Sequence, residues 1–161
     1  MNKFLMITLF FAGFLAFTSD VFAECSACSL KGEEMKTKEI GLFDKFFNEA
    51  KVEDGVRFIT YDQFIKLRNS GENFVLLDVL LEESYKNGHI EGAKSFPIPT
   101  INKENAEKLL TKDDNIIVYC GSFQCHASTN AAKILIELGY KVVDYKGGLK
   151  EWQEKGNKFA N

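Results

Sequence analysis

An excess of basic charge is missing from this 161-residue chain: 20 Lys and Arg stand against 23 Asp and Glu, for a net charge of −3. Without a basic patch to neutralise phosphates, nucleic-acid binding has no electrostatic footprint here. Internal repeats and low-complexity stretches are also absent. Histidine occurs only twice, and no second Cys-x-x-Cys or His pair accompanies Cys25-Ser26-Ala27-Cys28. A zinc site would lack half of its four ligands, so neither a metal nor a cofactor is expected. No apolar run reaches the ~20 residues that a spanning helix needs. The longest, Phe4–Phe17, has 14.

That run has another meaning. It follows Met1-Asn2-Lys3 and is followed by small residues at Val21 and Ala23, the layout of a secretory signal. Cleavage after Ala23 is expected, removing residues 1–23 and placing the mature chain in the periplasm or outside the cell, with no membrane association thereafter. A lipoprotein signal ending on Cys25 is disfavoured, because Glu24 stands where a small residue is required.

All four cysteines survive that cleavage, as the pairs Cys25/Cys28 and Cys120/Cys125. Paired cysteines in an oxidising compartment usually form disulfides. Loops this short constrain the unfolded chain weakly, however, so redox or sulfur chemistry suits the pairs better than stapling. Cys25 and Cys28 fit a local disulfide, a redox pair, or a tethered dithiol that exchanges with the second pair.

Residues 24–55 read as an N-terminal leader holding the Cys-x-x-Cys and an amphipathic helix over 35–50. Its Phe face is expected to pack on the domain itself, with a homodimer contact as the alternative. From residue 56 to 157 the pattern becomes an alternation of strands and helices. Strands are expected at 56–59, 74–79, 93–96, 115–119 and 141–145. Helices fall at 61–69, 82–87, 102–110 and 127–138, with a short one after Gly147-Gly148. The nearly unbroken apolar run 74–79 is that of a strand covered on both faces. This is an α/β domain: a mostly parallel five-stranded sheet with helices on both faces. In such sheets ligands sit at the carboxyl ends of the strands.

Cys120 falls at one of those ends. Ile116-Ile117-Val118-Tyr119 delivers it to a tight loop, Gly121-Ser122-Phe123-Gln124-Cys125, and a helix follows from Ala127. A loop curled around the sulfur would aim N–H groups and the helix dipole at it, favouring a nucleophilic thiolate at Cys120. The alternative is a buried structural cysteine ending a core strand. Cys125 can act as a resolving thiol, form a resting disulfide with Cys120, or merely fill space at the helix start. His126 can steady the thiolate or cap the helix. Asp78, ending a buried strand, either orients the loop or makes a structural hydrogen bond.

From about Thr60 to Gly156 the chain resembles a single rhodanese domain. The stretches that carry the likeness are Leu76-Leu77-Asp78-Val79, Glu83-Ser84-Tyr85, Gly88-His89-Ile90-Glu91-Gly92-Ala93, Ile117-Val118-Tyr119-Cys120, Gly139-Tyr140, and Gly147-Gly148-Leu149 with Trp152. The resemblance implies a sulfurtransferase that carries sulfane sulfur as a persulfide on Cys120, in a cradle made by residues 121–125. It would pass that sulfur from a small donor to a thiol acceptor, with a periplasmic redox protein as a further partner. It also implies that His89 holds its own loop by hydrogen bonding. Two departures matter. Leu80 stands where the family often has Arg, and Cys125 stands where many thiosulfate-using members end the loop on a cation. The first basic candidate is then His126, which favours polysulfide or protein persulfide over thiosulfate. The rival readings are a non-catalytic rhodanese-like binding module and a thiol–disulfide oxidoreductase built on Cys120/Cys125. A cysteine phosphatase is rejected, because His126 occupies the place of its Arg.

Overall fold

In the computed structural model residues 40–161 are described; the expected signal segment, Cys25 and Cys28 lie outside them. The strands are β1 (Lys51–Glu53), β2 (Val56–Ile59), β3 (Val75–Asp78), β4 (Ala93–Ser95), β5 (Asn115–Tyr119) and β6 (Lys141–Tyr145), the longest apolar runs giving the inner ones. They make one sheet in the order β1-β2-β6-β5-β3-β4. Every pairing is parallel except β1 with β2.

The sheet has six strands among the described residues, not five. The additional one, β1, is exposed throughout, so it carries no apolar signal. It exists because Asp54 (φ 50) and Gly55 (φ 80) turn the chain back on itself, as an Asp-Gly hairpin turn does.

Because side chains alternate along a strand, the sheet sorts its residues into two cores. Ile116, Val118 and Cys120 lie on one face, under Ala131, Ala132 and Leu135 of α5 (Ala127–Glu137) and Ala106 of α4 (Lys103–Leu109). Ile117 and Tyr119 lie on the other, with Phe64 and Leu67 of α2 (Tyr61–Ser70), Trp152 of α6 (Gly148–Glu154), and Phe43 and Phe46 of α1 (Leu42–Glu49). Phe64 stacks on Tyr145 with ring centroids 4.8 Å apart. The sixth helix, α3 (Glu82–Asn87), buries none of its residues.

Helix boundaries follow local chemistry. Thr60 accepts from the Gln63 N–H while the Gln63 side chain accepts from the Thr60 N–H, a reciprocal cap for α2. Gly71 ends that helix at φ 78, a conformation that costs glycine little. The amphipathic helix expected over 35–50 runs from Leu42 to Glu49 among the described residues. It starts where Glu72 accepts from the N–H of Leu42 and, at 2.8 Å, of Phe43. Its Phe face packs on its own domain.

Candidate active site

The alternation that buries Ile116 and Val118 also turns the Cys120 side chain towards α5. β5 and β6 end together, with Tyr119 paired to Tyr145, so the segments after them, Cys120–Gly121 and Lys146–Gly148, leave the sheet side by side. Leu149 and Lys150 at the start of α6 donate to the carbonyls of Cys120 (2.9 Å) and Gly121 (2.8 Å). Gly148 adopts φ +57, and a Cβ there would stand 2.1 Å from the Cys120 carbonyl oxygen. The Gly147-Gly148 pair therefore lets α6 close onto the loop and hold its first two carbonyls away from the sulfur.

The loop turns once, the Cys125 N–H donating to the Ser122 carbonyl at 2.9 Å, before α5 begins at Ala127. Phe123 at its tip is 55% exposed. Both cysteines are free thiols. Cys120 is 0% exposed and faces mainly acceptors: the Cys125 carbonyl at 3.5 Å, the Ser122 carbonyl at 4.0 Å and the Ser128 hydroxyl at 3.2 Å.

These surroundings reverse the expected ionisation. Burial pushes the Cys120 thiol up, its hydrogen bond to Cys125 adds to that, and Ser128 offsets only part. Cys125 is lowered. Burial acts against its thiolate, but the Cys120 thiol donates to it, the N–H groups of Ala127 and Gly121 face it, and the Lys146 ammonium lies close; together they prevail. The loop's donors thus favour the anion at Cys125 over the anion at Cys120.

Lys146, from the end of β6, is a cation not anticipated from the loop sequence. Its ammonium donates to the Cys125 carbonyl at 2.6 Å and to the Thr129 hydroxyl at 2.9 Å. Thr129 in turn donates to Asp144 at 2.8 Å. Asp144 is fully buried, and one of its oxygens has no hydrogen-bond partner. Burial raises its carboxyl, against the Ser128 and Thr129 hydroxyls and Lys146. The parallel register of β5 and β6 is the signal that could have placed Lys146 and Asp144 here.

The other expected residues are dispersed. His126 takes the N-cap position of α5 without a side-chain capping bond and is exposed. His89 lies away from the thiols: its ring stacks on Tyr85 with centroids 3.9 Å apart, its Nδ1 is 3.0 Å from the Tyr85 carbonyl, and its backbone pairs with Ala160. Asp78 accepts from the Leu80 N–H at 3.0 Å. Burial raises its carboxyl, opposed by Leu80, the neighbouring Tyr119 hydroxyl and His89. It supports the end of β3 rather than the sulfurs. Leu80 packs into the core beside β5, and Trp152 is buried, donating to the Lys158 carbonyl at 2.9 Å.

Comparison with known proteins gives a consistent picture. The sequence model of the Rhodanese-like domain matches residues 60–155. Thiosulfate sulfurtransferase PspE of Escherichia coli is 35% identical over 75 residues, which is 47% of this chain and 70% of that protein. The HTH-type transcriptional regulator Rv0324 of Mycobacterium tuberculosis is 35% identical over 98 residues, 61% of this chain; the match spans only 42% of that protein's length. Among solved structures, the BH2092 protein of Bacillus halodurans superposes with a TM-score of 0.60 at 30% identity, covering 65% of this chain and 76% of that one.

Proposed function

The chain belongs to the rhodanese-like domain family, and on that premise we propose that it is a sulfurtransferase whose Cys120 carries sulfane sulfur as a persulfide. The observation that carries this reading is a thiol buried at the carboxyl end of a central strand, beneath a short loop that opens a helix. An acceptor thiolate would attack the outer sulfur of Cys120–S–S⁻, forming its own persulfide and returning Cys120–S⁻, so sulfur moves without net oxidation. The donor class is polysulfide or a protein persulfide rather than thiosulfate. The cation beside the loop among the described residues, Lys146, already spends two of its donors on Cys125 and Thr129, which leaves little to grip an oxyanion.

In this reading residues 1–23 are a signal removed after Ala23, and the mature chain works in the periplasm or is secreted. Incubating the protein with polysulfide under anaerobic conditions, then measuring intact mass and mapping the alkylated persulfide, tests the assignment. One added sulfur per chain on Cys120 supports it. No adduct with any donor would leave a binding module as the better account.

A further inference from the structure

Both cysteines lie under one loop, but they do not face the same surroundings. Cys120 is sealed from solvent and its thiol has carbonyl oxygens as neighbours at 3.5 and 4.0 Å. Cys125 is partly exposed. The groups that favour a sulfur anion, the N–H groups of Gly121 and Ala127, the Cys120 thiol and the Lys146 ammonium, converge on it. Lys146 is fixed there by the Cys125 carbonyl and by the Thr129–Asp144 pair. A donor arriving from solution meets Cys125 first, because Cys120 is sealed and Cys125 is not, and the lowered Cys125 thiol favours the form that attacks.

Resting on the sulfurtransferase reading, we propose that Cys125 is the entry thiol, accepting sulfane sulfur from the donor and handing it to Cys120. In the first step Cys125–S⁻ attacks the outer sulfur of a persulfide or hydrogen polysulfide, R–S–SH. The donor S–S bond breaks, R–S⁻ leaves, and Cys125–S–SH forms. Its proton is readily lost to give Cys125–S–S⁻. In the second step the Cys120 thiol passes its proton to that outer sulfur, and the resulting Cys120–S⁻ attacks it. The product is Cys120–S–SH with Cys125–S⁻ restored. Both steps are displacements at sulfur, and no electrons are gained or lost. The sulfur then rests on the thiol that solvent does not reach, while Cys125 is again free as an anion.

Rapid-quench loading with hydrogen polysulfide, followed by alkylation and peptide mapping, tests the order. In the wild-type protein the label should appear first on Cys125 and move to Cys120 as the reaction proceeds. Cys120→Ser should still take up one sulfur, on Cys125, because a serine hydroxyl can donate to Cys125 as the thiol does. Cys125→Ser and Cys125→Ala should load Cys120 roughly tenfold or more slowly at neutral pH, with the rate rising to higher pH as the buried thiol ionises. Label that appears on Cys120 from the earliest times, with both Cys125 variants loading at the wild-type rate, would overturn the proposal and leave the sulfurtransferase reading intact. A wild-type protein that takes up no sulfur would overturn that reading as well. The time course in the wild-type protein does not depend on any variant folding correctly.

Discussion

Gly148 is where the fold and the site press on each other most directly, so Gly148→Ala is a demanding test of the geometry. The residue sits at φ +57, and an added Cβ would lie 2.1 Å from the Cys120 carbonyl oxygen and 2.9 Å from its carbon. Holding an alanine in that left-handed conformation costs about 1–2 kcal/mol. Relieving the overlap must move α6 away from the loop, loosening the bonds from Leu149 to Cys120 and from Lys150 to Gly121, at ~0.5–1.5 kcal/mol each. The sum is roughly 2–5 kcal/mol, a large share of the ~5–15 kcal/mol stability of an ordinary domain. Gly156→Ala supplies the control, since it has φ +82 with open space around the new Cβ and should lose only the conformational ~1–2 kcal/mol. Urea denaturation of the two variants measures the difference. Gly148→Ala should be the less stable and should also load sulfur more slowly, because the carbonyls it displaces belong to Cys120 and Gly121. Equal losses in the two variants, or an unperturbed Gly148→Ala, would refute the close approach of α6 to the loop.

Two other perturbations probe the polar network. Lys146→Met removes the ammonium beside Cys125 and its bonds to the Cys125 carbonyl and Thr129; sulfur loading near neutral pH should slow by about threefold to tenfold, with the pH–rate curve displaced upward, and an unmoved curve in stopped-flow loading would exclude any role for this cation. Asp144 is buried with its carboxyl raised above 3.8, so its stabilising contribution is complete below that value and is lost as pH rises through the folded-state pKa. Asp144→Asn removes this loss, and its stability relative to wild type should therefore increase as pH rises above about 4 in urea midpoints; a constant or falling difference would contradict the carboxyl's burial.

Much of the architecture was legible because the inner strands are apolar and their boundaries carry strong local signals. Thr60 with Gln63, Gly71, and the Gly147-Gly148 pair each perform the role their chemistry suggests. β1 escaped notice since Lys51-Val52-Glu53 is wholly exposed; only the Asp54-Gly55 turn announced it. In the site, Cys120, Cys125 and Ser128 were readable as one contiguous stretch. Lys146, Thr129 and Asp144 were not read as part of it, because the first and last of them join it through strand pairing at Tyr119 and Tyr145. The surroundings of Cys120 differ from those the loop sequence suggests. Position at a helix start suggested a thiolate at Cys120, whereas its complete burial and the carbonyls turned towards it favour the proton there. Which loop groups turn inward is a property of the folded loop, and α6 helps to decide it.

The central claim, that this chain carries and delivers sulfane sulfur, is tested most directly by single-turnover transfer. Protein loaded with polysulfide and freed of excess donor is mixed with cyanide, and thiocyanate and protein mass are measured together. The account predicts thiocyanate equal to the sulfur carried, with the protein returning to its unloaded dithiol mass. Release of sulfide with a Cys120–Cys125 disulfide left behind, and no thiocyanate, would contradict it in favour of thiol–disulfide chemistry.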